Sequence, residues 1–154
     1  MRDVALDVIA VESPIEEGRL ARVVGNRFGL RRVVAKRAAE ILGVVPRTLR
    51  HDTLLGIFYW APGSSPETYT GFRATPPEVS RPLAEVAREE IANAMAHLAR
   101  LGHGIAREEL LRETASVFGV GRLTAPARER LEAVLAWAVA AGRLEVDGER
   151  VVSP

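Results

Sequence analysis

Hydrophobic positions recur at helical spacing in two separate stretches of the chain. Leu20, Val24 and Phe28 fall at i, i+4 and i+8 on one helix face. Leu110, Thr114 and Phe118 repeat that stripe, with Leu111 and Val117 widening it. A glycine follows each stripe directly, Gly29 and Gly119, where a helix stop favours a residue free to take positive φ. The stretches read as copies of one unit. Residues 15–42 align without gaps to residues 105–132, and Ile15/Ile105, Leu20/Leu110, Arg22/Arg112, Phe28/Phe118, Gly29/Gly119 and Arg32/Arg122 are among the identical pairs.

The elements around each stripe are also parallel. A helix is expected over 33–45, with Val34, Ala38, Ile41 and Val45 inward and Pro46 as its stop. Its counterpart spans 125–141, capped by Thr124, opened by Pro126 and closed by Gly142, with Leu131, Val134, Leu135 and Ala138 buried. A hairpin follows each. One runs from Thr48–Asp52 through Gly56 to Ile57–Trp60, with Pro62 ending the strand. The other turns at Asp147-Gly148, which places Glu145 opposite Arg150. A helix also precedes each stripe, over 4–11 and 88–101. Ile15 and Ile105 then sit where a one- or two-residue strand would complete a sheet. Ser13-Pro14-Ile15-Glu16 reads alternatively as a capping box.

Helix, short strand, helix, helix, hairpin is the winged-helix order. The predicted fold is therefore mainly α with small β-hairpins, as tandem winged-helix (helix-turn-helix) repeats over 1–62 and 84–154. Residues 63–83, rich in Ser, Pro and Gly, form a linker or a lining strand, since Tyr69, Phe72 and Val79 give it something to bury. Phe28 and Phe118 are both expected to be buried where the second helix of each copy meets the third.

Composition removes several chemistries. There is no cysteine, hence no disulfide, thiol nucleophile or cysteine zinc site. The single lysine, Lys36, lies between Ala35 and Arg37, which excludes a P-loop, and Val34 stands two residues before it, which excludes a nuclease carboxylate–lysine pair. His51, His97 and His103 lack metal-ligand spacing, and the serines lack a nucleophile elbow. Glu16-Glu17, Glu89-Glu90 and Glu108-Glu109 lie in first helical turns, where the helix dipole accounts for them. No catalytic residue, metal or cofactor is expected. No apolar run is long enough to span a membrane, and Met1-Arg2-Asp3 does not open a signal peptide, so the cytoplasm is the expected location.

The net charge of +1 hides a segregation. Residues 1–60 carry ten Lys+Arg and seven Asp+Glu, whereas residues 84–154 carry nine and eleven. The basic excess gathers at Arg27, Arg31, Arg32, Lys36 and Arg37, across the turn and the start of the third helix. That helix enters the major groove in DNA-binding helix-turn-helix proteins. Arg47 and Arg50 add candidate wing contacts. Arg holds guanine bidentately, and Lys or Arg holds phosphate. The bland alternative is a solvated face with pairs such as Lys36–Glu40. Arg32, Lys36 and Arg37 are expected on one surface without tight carboxylate partners. In the second copy, Arg122, Arg128 and Arg130 are offset by Glu129 and Glu132.

Several runs resemble a known domain: Val11–Glu16, Leu20–Val23, Phe28–Arg32, Phe58–Pro62, Glu89–Ala94, Glu108–Ala115, and Gly142–Leu144 followed by Asp147-Gly148. Together they are similar to an uncharacterised domain at the C-terminal end of large bacterial superfamily-one helicase-like proteins, which often also carry a Vsr-like endonuclease domain. Gly29-Leu30-Arg31-Arg32 matches that family's Gly-Leu-x-Arg, but Ala35-Lys36-Arg37 stands where it has a second Gly. The resemblance implies association with helicase or nuclease domains, of the same or a partner chain. With the basic cluster, it leads to the expectation of a non-catalytic accessory module that contacts double-stranded or forked DNA through the first copy. The alternative is a protein–protein docking or dimerisation module without DNA contact.

Overall fold

The computed structural model describes residues 1–154 and is mainly helical, with six α-helices and two small antiparallel sheets. No helix is long and apolar enough to cross a membrane. The chain divides into two compact units, Met1–Tyr69 and Thr70–Pro154.

In unit 1, α1 (Arg2–Glu12) leads through β1 (Ile15–Glu16) into α2 (Glu17–Arg27), followed by α3 (Ala35–Gly43), β2 (Arg50–Thr53) and β3 (Gly56–Tyr59). The two-residue β1 pairs with β3, Ile15 against Tyr59, giving the sheet order β1-β3-β2. The cap of α2 is Glu16, whose carboxylate accepts from Arg19 N–H at 2.9 Å. Ser13 does not cap; its hydroxyl accepts from Ala61 N–H at 2.8 Å and so ties the end of α1 to the chain after β3. At the other end of α2, Leu30 N–H bonds Gly25 O and Gly29 N–H bonds Asn26 O, both at 3.0 Å, with Gly29 at φ +80°. This is a Schellman stop, and it needs the left-handed residue that glycine supplies at least cost. The core joins Ala5, Val8 and Ile9 of α1, Ile15, Leu20 and Val24, Ile41 and Val45, and Tyr59. Phe58 and Trp60 are buried as well, and Trp60 packs edge-on to Tyr69 with ring centroids 5.2 Å apart.

Unit 2 repeats the order with α4 (Arg88–Leu101), β4 (Ile105–Ala106), α5 (Arg107–Val117), α6 (Ala125–Ala140), β5 (Glu145–Asp147) and β6 (Arg150–Val152). Its sheet order is β4-β6-β5, with Ile105 against Val151. The α5 stop reproduces that of α2: Val120 N–H bonds Ala115 O at 2.9 Å, Gly119 N–H bonds Ser116 O at 3.0 Å, and Gly119 has φ +76°. Thr124 caps α6 as expected, its hydroxyl accepting from Ala127 N–H at 3.3 Å. Leu131, Val134, Leu135 and Ala138 are buried.

Three expectations need correction. In the second hairpin, Asp147 pairs with Arg150 and Glu145 with Val152. The turn is centred on Gly148-Glu149, one residue later than expected, and only Gly148 of these two takes positive φ. Val34 is 57% exposed, because α3 starts at Ala35 and the extended backbone of Val34 (φ −79°, ψ 160°) takes it off the helical face. The third departure separates the two phenylalanines. Phe118 is 1% exposed and Phe28 is 49% exposed, although their backbones match, φ −99°, ψ 15° against φ −96°, ψ 21°.

The difference lies in what covers them. In unit 2, residues 70–86 form a strap across the end of α5. Phe72 packs edge-on to Phe118 at 6.5 Å, and Thr75 N–H donates to Val117 O at 2.9 Å. The strap is fastened to α4. The fully buried Glu90 carboxylate accepts from Arg73 N–H (3.1 Å), Arg73 Nη2 (2.9 Å) and Arg81 Nη2 (2.5 Å), while Asn93 Nδ2 donates to Gly71 O at 2.9 Å. Burial pushes the Glu90 carboxyl up, but the hydrogen bonds and charges of Arg73 and Arg81 outweigh it and hold the group below its ordinary value. Glu90 therefore does more than complement a helix dipole.

Candidate nucleic-acid interface

The candidate interface of unit 1 is built on the connection from α2 to α3. Arg27 closes α2, Arg31 and Arg32 lie on the connection, and Lys36 and Arg37 fall in the first turn of α3; all five are exposed. Ile41 is buried and Ala38 and Leu42 are half-buried, while the other six of the nine α3 residues are exposed and open to a ligand. Gly25 lets the α2–α3 connection fold closely onto α2. A Cβ there would stand 2.4 Å from Val33 Cγ2, a distance no packed structure tolerates.

Arg27, Arg31, Arg32 and Lys36 have no carboxylate within ion-pair reach. Arg37 departs from expectation: its Nη1 contacts Glu40 Oε2 at 2.7 Å, one turn along the same helix face. Both side chains are about half exposed, so solvent screens the pair and it competes weakly with a phosphate. Arg50, in β2, grips Asp52 with two hydrogen bonds of 2.7 and 3.3 Å. This contact raises the Arg50 pKa and lowers that of Asp52. Arg47 is exposed in the short 3₁₀ turn Arg47–Leu49 that leads into β2.

The N-terminus of α3 adds to this positive field. Val34 is its N-cap and offers no side-chain acceptor, and the first turn holds no acidic residue. The backbone N–H groups of that turn and the positive end of the helix dipole therefore have no internal anion. At the corresponding place in unit 2, Thr124 caps the helix.

On the third helix of unit 2, Arg128 and Arg130 are engaged. Arg128 donates to both oxygens of Glu108, at 2.8 and 2.9 Å, and contacts Glu132 at 3.4 Å. These hydrogen bonds raise the Arg128 pKa, and Arg128 in turn lowers that of Glu108. Arg130 donates to Val86 O at 2.8 Å. Arg122 is exposed. The contrast between capped and uncapped third helices was legible in the sequence as Thr124 against Val34 at matching positions. The Glu90–Arg73–Arg81 cluster carried no local signal.

No three His, Asp or Glu side chains come together as a metal site. His51 lies in β2, His97 packs against Phe72 on α4 with ring centroids 5.6 Å apart, and His103 occupies a turn at φ +50°. Comparison with family models, curated proteins and solved structures finds no match to this chain.

Proposed function

We propose that this chain is a non-catalytic accessory module of two tandem winged-helix units that binds double-stranded or forked DNA through unit 1, in the service of helicase or nuclease domains. The observation that carries this reading is the pairing asymmetry. Unit 1 presents Arg27, Arg31, Arg32 and Lys36 without carboxylate partners beside an uncapped helix start, whereas unit 2 engages Arg128 and Arg130 internally and caps its third helix. Unpaired guanidinium groups and open backbone N–H groups are what a phosphate backbone requires. The mostly exposed α3 supplies a surface that can lie in a groove, with the β2–β3 hairpin and Arg47 as its flank. The helicase or nuclease context rests on the sequence resemblance.

The test is fluorescence anisotropy of a labelled duplex and a labelled fork titrated with the full chain at several salt concentrations. Four phosphate contacts would give a slope of log K against log salt of roughly −3 to −4. Absence of binding at low salt would overturn the reading and leave protein docking as the better account.

A further inference from the structure

The two α-helix stops described above share their backbone and differ in their cover. At Gly119 an added Cβ would meet Thr75 O at 3.2 Å and the Thr75 side chain at 3.4 Å, whereas at Gly29 it would meet nothing within 4 Å. Phe118 lies under Phe72 of the strap, and Phe28, on the same backbone, is half exposed. The Val117 carbonyl receives Thr75 N–H. The carbonyl of Arg27, its counterpart, accepts from no backbone N–H. Unit 1 thus contains each element that receives the strap in unit 2, namely the phenyl ring, the glycine floor and the free carbonyl, with no strap on them.

We propose that the Phe28 end of α2 docks an extended peptide of a partner protein, one that carries an aromatic residue, a β-branched residue three places later, and acidic flanks. Its aromatic ring takes the place that Phe72 takes on Phe118, and its backbone N–H at the β-branched residue bonds the Arg27 carbonyl. The acidic flanks follow from charge. In unit 2 a buried glutamate fastens an arginine-bearing strap. The exposed side chains flanking Phe28 in sequence are Arg27, Arg31 and Arg32, so the complementary occupant here carries carboxylates. The strap shows that a segment with this aromatic and β-branched spacing packs on such an end, which makes its sequence, with the arginine replaced, the natural probe. The acidic flanks use Arg27, Arg31 and Arg32, the cations proposed above for DNA, so peptide and duplex would compete for this end, but docking of the ring and the carbonyl does not depend on DNA binding.

The probe is a synthetic peptide with the sequence of residues 70–78 and the substitution Arg73→Glu, titrated into the ¹⁵N-labelled full chain and followed by amide chemical shifts. Saturable shifts are expected at Arg27 to Leu30. A peptide with Phe72→Ala should lose them. A chain with Phe28→Ala should bind the probe about tenfold more weakly, the weight of one aromatic contact. Because Phe28 is half exposed, that variant should keep its fold, which an unchanged spectrum for the rest of the chain would verify. DNA affinity of Phe28→Ala should stay unchanged, which separates failure of this proposal from failure of the nucleic-acid reading. No saturable shift, shifts that persist undiminished in Phe28→Ala, or shifts confined to Ser116–Val120, where the peptide would only be displacing the strap, would each overturn the proposal.

Discussion

Truncating the two repeat-related phenylalanines to alanine should have unequal effects, and the inequality follows from the strap. Phe118 is 1% exposed, so Phe118→Ala removes a fully buried ring and opens a cavity, at a cost of about 3–5 kcal/mol. The edge-on contact with Phe72 falls within that figure and contributes about 0.5–1.5 kcal/mol of it. Phe28 is 49% exposed, so Phe28→Ala forfeits roughly half of a phenyl transfer free energy and leaves no enclosed void, about 1 kcal/mol. The backbone stop is the same in both units and survives both substitutions, so it cancels in the comparison. A domain of this size holds only about 5–10 kcal/mol in total. Phe118→Ala should therefore leave unit 2 marginal while unit 1 is untouched. Hydrogen exchange followed by mass spectrometry separates the units by peptide, which a single global melting curve does not. The expected result is faster exchange over α4 to α6 in Phe118→Ala and near-native exchange throughout Phe28→Ala. Equal losses, or a larger loss at Phe28, would refute the account of what covers each ring.

That pair also shows where sequence pattern stops being informative. The glycine stops and the buried face of α6 rest on local periodicity or local turn chemistry, which can be read from neighbouring residues, and the short strands at Ile15 and Ile105 follow from the repeated element order. Burial of both phenylalanines is expected from the repeated stripe, but it depends on Phe72 and Thr75 of the strap, more than 40 residues before Phe118 in the chain. Glu90 is similar. In sequence it is one of two glutamates at a helix start, and only the folded chain brings Arg73 and Arg81 onto it. The hairpin slip at Gly148 has a different cause. Asp147-Gly148 and Gly148-Glu149 both make acceptable two-residue turns, and the register observed, Val146 against Val151, is that of the second. Among the basic residues, sequence located the cluster but not which members would find carboxylates, because Arg37–Glu40 and the alternative Lys36–Glu40 are both one turn apart.

Other outcomes follow from the same structure. Glu90→Ala should destabilise unit 2 by about 2–4 kcal/mol, less than a wholly buried pair would lose because Arg73 remains partly in solvent, and proteolysis should then cut within 70–86. Since the folded-state pKa of Glu90 is depressed, its contribution is fully present above the ordinary carboxylate value near 4.5 and is lost as pH falls through the lower folded value. Acid titration of exchange rates in unit 2 should show that loss, and Glu90→Gln should lack it. Gly25→Ala should destabilise unit 1 by about 1–2 kcal/mol despite the better helix propensity of alanine, because the new Cβ meets the stiff Val33 side chain at 2.4 Å; a stabilised variant would show that the connection carrying Val33 can move off α2.

The central claim is that unit 1, not unit 2, meets nucleic acid, and matched charge reversal tests it most directly. One variant carries Arg27→Glu, Arg32→Glu and Lys36→Glu; the other carries Arg122→Glu, Arg128→Glu and Arg130→Glu. Anisotropy titration of the same labelled duplex should show binding abolished in the first. In the second, affinity should fall only slightly and the slope should stay within about one of the unmodified chain. Equal loss from both variants, or a larger loss from the second, would contradict the assignment.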